Sequence, residues 1–410
     1  MDLQKNLQKY AHLIVRAGCN LQPGQELFIT APIESAPLTR LVAEEAYAAG
    51  VREVTVQWTD EAISRMTYAH APMEVFTHCP EWLATLTNGV AERGAAILSI
   101  LSSAPDAMRG IDPKRIAARA KANHEACKAF HDGMDFGRNV WCIVGASAPE
   151  WAVHVFPSLP SAEAEEKLWE AIFHTVRLDA EDPVAAWEAH RRSFDERRAW
   201  LNERQFDRLH YRNNGGTDIV LGLPANHVWQ GGGSQTVNGT FFFPNMPTEE
   251  IFCSPDCRRT EGTVHSSLPL NYNGSLVENF SITFHAGRVA EFHAARGEDA
   301  LREILATDEG AHMLGECALV PQHSPIAEMG LLFYNTLYDE NASCHFALGL
   351  GFPECIKGGL EMDAKALQAA GVNISATHVD FMLGTPDLEI TGITTSGEET
   401  PIFQNGNWAF

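Results

Sequence analysis

Apolar and polar positions follow two rhythms along this 410-residue chain, and the rhythm changes near residue 206. Before that point, helix-spaced apolar positions predict helices over 3–17, 37–49 and 113–132, and short apolar runs predict strands over 26–30, 52–58, 95–101 and 140–144. Strands separated by helices imply a mostly parallel sheet covered on both faces. The stretch 161–204, dense in Ala, Glu, Leu, Trp and Arg and broken at Asp182-Pro183, predicts two further helices. After it, alternation with a period of two predicts strands over 208–212, 218–221, 239–243, 280–284 and 289–293. Asn-Gly turns at Asn238-Gly239 and Asn273-Gly274 punctuate them, and one helix is expected over 298–306. The expected fold class is α/β: an N-terminal, mostly parallel α/β sheet domain with a helical connector over 1–205, then a β-rich α+β domain over 206–410.

Composition narrows the function. Apolar residues make up 45% and charged residues 20%, as in ordinary packed proteins, which excludes disordered and fibrous classes. The net charge of −23 repels phosphate backbones and anionic lipid, so neither nucleic acid nor a membrane is an expected partner. No run of 18 apolar residues predicts a membrane span, and an opening segment interrupted by Arg16 does not fit a secretory signal. Nine cysteines, odd in number and set in apolar segments, point to a reducing cytoplasm rather than a disulfide framework. Cys253 and Cys257 lack the second pair a structural zinc site needs and are expected to be ordinary thiols.

Several catalytic templates are absent. No glycine fingerprint follows the first strand, where the chain reads Ala31-Pro32-Ile33-Glu34, so a dinucleotide site has no support. There is no His-Glu-x-x-His, no Gly-x-Ser-x-Gly and no phosphate-binding Gly-x-x-x-x-Gly-Lys loop. Gly231-Gly232-Gly233 is expected to bend the chain rather than to cradle an anion.

Histidines and carboxylates instead gather in four short segments of the second half. Thr248-Glu249-Glu250 offers two adjacent acids, or else a helix start. Glu316 stands at the front of an apolar strand, where a lone carboxylate must face solvent or meet a cation. Glu340 and His345 lie five apart across a segment that a turn can fold onto one point. His378-Val379-Asp380, if extended, sends both polar side chains to one face. Two histidines with several acids match the donor set of zinc, cobalt or manganese, and more than three carboxylates suggest two ions rather than one.

These segments, 245–255 (NMPTEEIFCSP), 315–321 (GECALVP), 341–349 (NASCHFALG) and 377–384 (THVDFMLG), resemble the aminopeptidase T and aminopeptidase S family of metallo-aminopeptidases, and the resemblance runs along essentially the whole chain. It implies a two-metal exopeptidase acting on peptides with a free N-terminus, a homodimer, and a C-terminal catalytic domain that holds the ions. The ligands it implies are Glu250, Glu316, Glu340, His345, His378 and Asp380, with Glu316 bridging. Glu249, beside a ligand but outside that set, is the candidate general base. The family has a catalytic tyrosine seven residues after the histidine, where this chain has Phe352, and Tyr334 or Tyr338 are alternative donors. The runner-up expectation is a mononuclear iron ring-cleaving dioxygenase using His345, His378 and Asp380, since the chain is similar at His-x-Asp to dihydroxypyridine dioxygenases.

Overall fold

The computed structural model describes residues 2–272 and 274–410, so Asn273 of the expected Asn273-Gly274 turn lies outside the described residues. The chain forms two compact units, one of Met1–His190 with Gly233–Pro247, the other of Arg191–Gly232 with Thr248–Phe410.

The first unit is built on a parallel sheet in which Glu26–Pro32 lies between Glu53–Thr59 and Ala96–Leu101, and Trp141–Gly145 follows. The apolar runs that predicted Glu26–Pro32 and Ala96–Leu101 are their buried cores, with Leu27, Phe28, Ile29, Ile97 and Leu98 almost fully covered, whereas Glu53–Thr59 has no buried residue. The expected helix over 113–132 is two helices, Pro113–Ala126 and Lys128–Asp135, because Cys127 leaves the α-helical region at φ −101°, ψ 35°. Helices Glu61–His70 and Glu81–Glu92 are not among the predicted elements.

A single boundary at 205/206 does not describe the units. Asn245–Met246 pairs in parallel with Trp141–Gly145 and completes the first sheet, which draws Gly233–Pro247 out of the later sequence. The expected strand over 239–243 belongs to the same segment and is reduced to Phe241–Phe242, paired with Ser234–Gln235.

The second unit holds two antiparallel sheets. The larger carries Arg208–Arg212, Asp218–Gly222, Thr260–His265, Ser275–His285 and Glu389–Ile393 among its nine strands. The smaller has the order His378–Met382, His345–Gly349, Leu314–Leu319, Ile251–Cys253 and Gln230–Gly231. One face of the smaller sheet is apolar: Ile251, Cys317, Leu319, Phe346, Leu348 and Phe381 join one core with Leu209, Tyr211, Ile219, Ile282 and Ile390 from the larger. Phe346 meets Tyr211 edge-on at 5.0 Å between ring centres. By the period of two, the alternate residues of the smaller sheet face the other way, and those are the residues that bear the chemistry.

Candidate metal centre

Strand register brings the predicted residues together. Glu316 lies opposite Ala347, and Ala347 lies opposite Asp380, so two carboxylates flank one small side chain. Ala318 lies opposite His345 on one side and Phe252 on the other. The register slips between Leu314 and Glu316, which lets Leu314 remain in the core while Glu316 faces the site. Gly315 makes that slip possible, since a Cβ there would stand 2.1 Å from the Leu350 carbonyl oxygen. Gly349, at φ +108° and opposite His378, is required for the same reason: a Cβ would meet the Thr377 carbonyl oxygen at 2.1 Å.

Two ligand groups result, and they share a residue. Glu250, Glu316 and His345 each offer a donor atom within 4.8 Å of the others, as do Glu316, His378 and Asp380. His345 Nε2 is 3.2 Å from Glu250 Oε2, and His378 Nε2 is 3.1 Å from both Glu316 Oε2 and Asp380 Oδ1. Each imidazole is held from behind by a main-chain carbonyl, His345 Nδ1 at 3.0 Å from Ser343 and His378 Nδ1 at 2.8 Å from Leu350. Those contacts fix the Nδ1–H tautomer and leave Nε2 for the site. Glu340, in the turn Glu340–Ala342, is outside both triples, with Glu250, Asp380, His345 and Glu316 as its neighbouring charges.

The cluster is short of positive charge. Burial pushes Glu316 up to about 7, with Glu250 and Asp380 adding to the rise against the His378 hydrogen bond. Burial and the neighbouring Glu250 and Asp380 raise Glu340 well above the carboxylate range. Burial alone would lower the histidines, but the Glu250 hydrogen bond carries His345 up to about 10, and those of Asp380 and Glu316 carry His378 up to about 11. The cluster therefore takes up protons at His345, His378, Glu316 and Glu340, a demand that divalent cations also answer. The donor set, imidazole nitrogen and carboxylate oxygen around one shared acid, fits a divalent metal.

Other expectations are placed as follows. Thr248-Glu249-Glu250 does not start a helix but leads into the strand Ile251–Cys253. Glu249 is buried, and its main-chain N–H donates to Asn341 Oδ1 at 2.7 Å. Phe352 lies against His378, 5.0 Å between rings, and against Phe252 at 5.4 Å. Tyr338 is fully buried and stacked on Phe333. All nine cysteines are free, Cys253 and Cys257 included. Gly231 to Gly233 all have positive φ and bend the chain, with Gly231 paired to Ile251 beside Glu250.

Sequence reading missed the residues that orient the ligands: Ser343 and Leu350 through their carbonyls, and Asn341. Main-chain acceptors leave no trace in residue type. Asn341 alone had a signal, as an amide adjoining a candidate ligand.

The profile of the thermophilic metalloprotease (M29) family matches residues 3–408. The chain belongs to the M29 family. Its members are metalloproteases, so the protein is a metal-dependent peptide-bond hydrolase, and its carboxylate-histidine cluster is a candidate for holding the divalent metal. Among M29 relatives, Aminopeptidase 2 of Geobacillus stearothermophilus is 44% identical, over 99% of this chain and 98% of its own. The solved structure of AmpT from Thermus thermophilus is 42% identical and superimposes with a TM-score of 0.93, covering 99% of both chains. A 2,5-dihydroxypyridine dioxygenase from Pseudomonas putida KT2440 superimposes at a TM-score of 0.51 with 13% identity, over 99% of this chain and 96% of its own, a likeness of fold alone.

The iron dioxygenase expectation is not favoured. It needs His345, His378 and Asp380 on one ion, whereas His345 gathers with Glu250 and Glu316, and His378 with Asp380 and Glu316.

No helix among the described residues is long and apolar enough to cross a membrane.

Proposed function

We propose that this protein is a two-metal aminopeptidase that releases the N-terminal amino acid from peptides with a free N-terminus. The observation that carries the reading is the sharing of Glu316 between two ligand groups in a chain of the M29 family. The names of its relatives, Aminopeptidase 2 among them, support the exopeptidase part.

The proposed ligands are Glu250, Glu316, Glu340, His345, His378 and Asp380, all in the second unit, with Glu316 common to both ions. Zinc, cobalt or manganese suit these donors. Bound there, such ions supply a lowered pKa for a shared water and positive charge beside the scissile carbonyl.

The chain's own residues do the rest. The Ser343 and Leu350 carbonyls hold both imidazoles in the donor tautomer. Glu249 is the proposed general base, taking a proton from the attacking water at a carboxylate oxygen and returning it to the leaving amine. The free α-amino group, which only a chain end has, would also bind one of the ions and so set the first peptide bond at the site. Phe352 offers no hydroxyl to a developing oxyanion, so turnover is slower than with a phenol at that position. A homodimer in a reducing cytoplasm completes the reading; the family resemblance supports the first and nine free thiols the second.

Paired chromogenic substrates test the exopeptidase claim. With zinc, cobalt or manganese added, an aminoacyl anilide should be cleaved and its N-acetylated counterpart should not. Equal cleavage of both contradicts it.

A further inference from the structure

Asn341 has no exposed surface, and its amide touches both the segment that bears Glu250 and the turn that bears Glu340. Oδ1 accepts the Glu249 N–H at 2.7 Å, while Nδ2 donates to the Leu337 carbonyl at 3.0 Å and to Glu340 Oε1 at 3.3 Å. Chemistry fixes this orientation, because a main-chain N–H only donates, whereas a carbonyl and a carboxylate accept. One buried amide thus ties the segment bearing Glu250 to the turn bearing Glu340, residues far apart in sequence.

That tie opposes a real force. Glu250 is foremost among the neighbouring charges beside Glu340, and two carboxylates repel one another. Without the brace, two acids that must both ionise to bind a cation are free to separate. The second group is anchored differently. His378 and Asp380 sit on one strand, His378 is fixed by the Leu350 carbonyl, and Glu316 is fixed by the Gly315 slip.

We infer that Asn341 is a positioning residue that sets the affinity of one ion of the pair, the one held by Glu250, Glu340 and His345, and leaves the ion at Glu316, His378 and Asp380 in place. The inference rests on the two-metal reading.

Zinc titration of the metal-free full chain against a competing chromophoric chelator, with metal content after gel filtration, tests it. Wild type should bind two zinc ions. Asn341→Ala should keep one at wild-type affinity and bind the other at least about 10-fold more weakly, the range seen when a partner of a ligand is removed. Asn341→Asp keeps an acceptor for the Glu249 N–H but sets a carboxylate against Glu340. It should weaken the same ion, and it keeps the test open where Asn341→Ala does not fold. Asn139→Ala is the control for a lost buried amide, since Asn139 Nδ2 donates to the Ala91 and Ala95 carbonyls in the first unit. It should lower the melting temperature and leave both ions.

A wild type that binds one ion or none overturns the two-metal reading. A wild type with two ions beside Asn341 variants that hold both at unchanged affinity, or lose both together, overturns the inference alone. Ion loss in Asn139→Ala equal to that in Asn341→Ala also overturns it.

Discussion

Glu316 and His378 meet at 3.1 Å, Oε2 to Nε2, across the strand His345–Gly349 that lies between theirs and against which the Glu316 strand slips register at Gly315. Glu316 also belongs to the group around His345, so it is the residue whose loss affects both groups. Glu316→Ala should therefore remove both ions and abolish hydrolysis, a larger loss than the roughly 10- to 100-fold caused by removing an outer partner of a ligand. Metal analysis and turnover on the same sample check this; retained metal with retained activity contradicts it.

Phe352 packs against His378 with ring centres 5.0 Å apart, and its N–H is held by Ser254 Oγ at 2.8 Å. The backbone is thus fixed and only the para position differs from a tyrosine. Phe352→Tyr should raise kcat by up to about 100-fold, the lower end of what one oxyanion donor contributes, without changing metal content. An unchanged kcat removes the phenol from the account.

Asp308 holds the segment that leads into the His378 strand. Its Oδ1 accepts from Ser375 Oγ at 2.7 Å and Ala311 N at 2.9 Å, and its Oδ2 from Ala376 N at 2.6 Å. Burial raises this carboxyl, but the hydrogen bonds outweigh it and hold it below the ordinary 3.8. The folded state binds the proton less tightly than the unfolded one. The stabilisation is therefore present above pH 3.8 and lost as pH falls through the lower folded value. At pH 7, Asp308→Asn should cost roughly 1–2 kcal/mol in urea unfolding, from the charge-assisted bonds lost. The difference from wild type should shrink below about pH 4; a gap that does not change with pH contradicts this.

Phe346 is fully buried between Tyr211 and Phe381, on the strand that presents His345 to the other face. Phe346→Ala should cost about 3–5 kcal/mol in chemical unfolding of the metal-free chain. A cost under about 1 kcal/mol is inconsistent with the shared core that joins the two sheets.

Local rules carried much of this fold and their limits are specific. The strands around Phe28, Ile97 and Val144 were legible because buried parallel strands are continuous apolar runs. His378 and Asp380 were legible as a pair because strand period alone sets their common face. The boundary at 205/206 was not, since the pairing of Asn245–Met246 with Trp141–Gly145 joins residues about a hundred apart and two residues leave no periodic signal. The slip at Gly315 and the reach of Asn341 to Glu249 are likewise long-range facts, set by strand register rather than by spacing. Glu316 shows the boundary between the two kinds of information. Its unusual place in an apolar strand left solvent or a cation as its partner, and only the register brings it to His378 and to the group of His345.

The most direct test of the two-metal claim is elemental analysis of the purified chain after loading with zinc, cobalt or manganese, read against protein concentration and against aminoacyl anilide hydrolysis of the same fractions. The account predicts two ions per chain, with activity that vanishes on chelation and returns with the second equivalent. One ion per chain at full activity would contradict it.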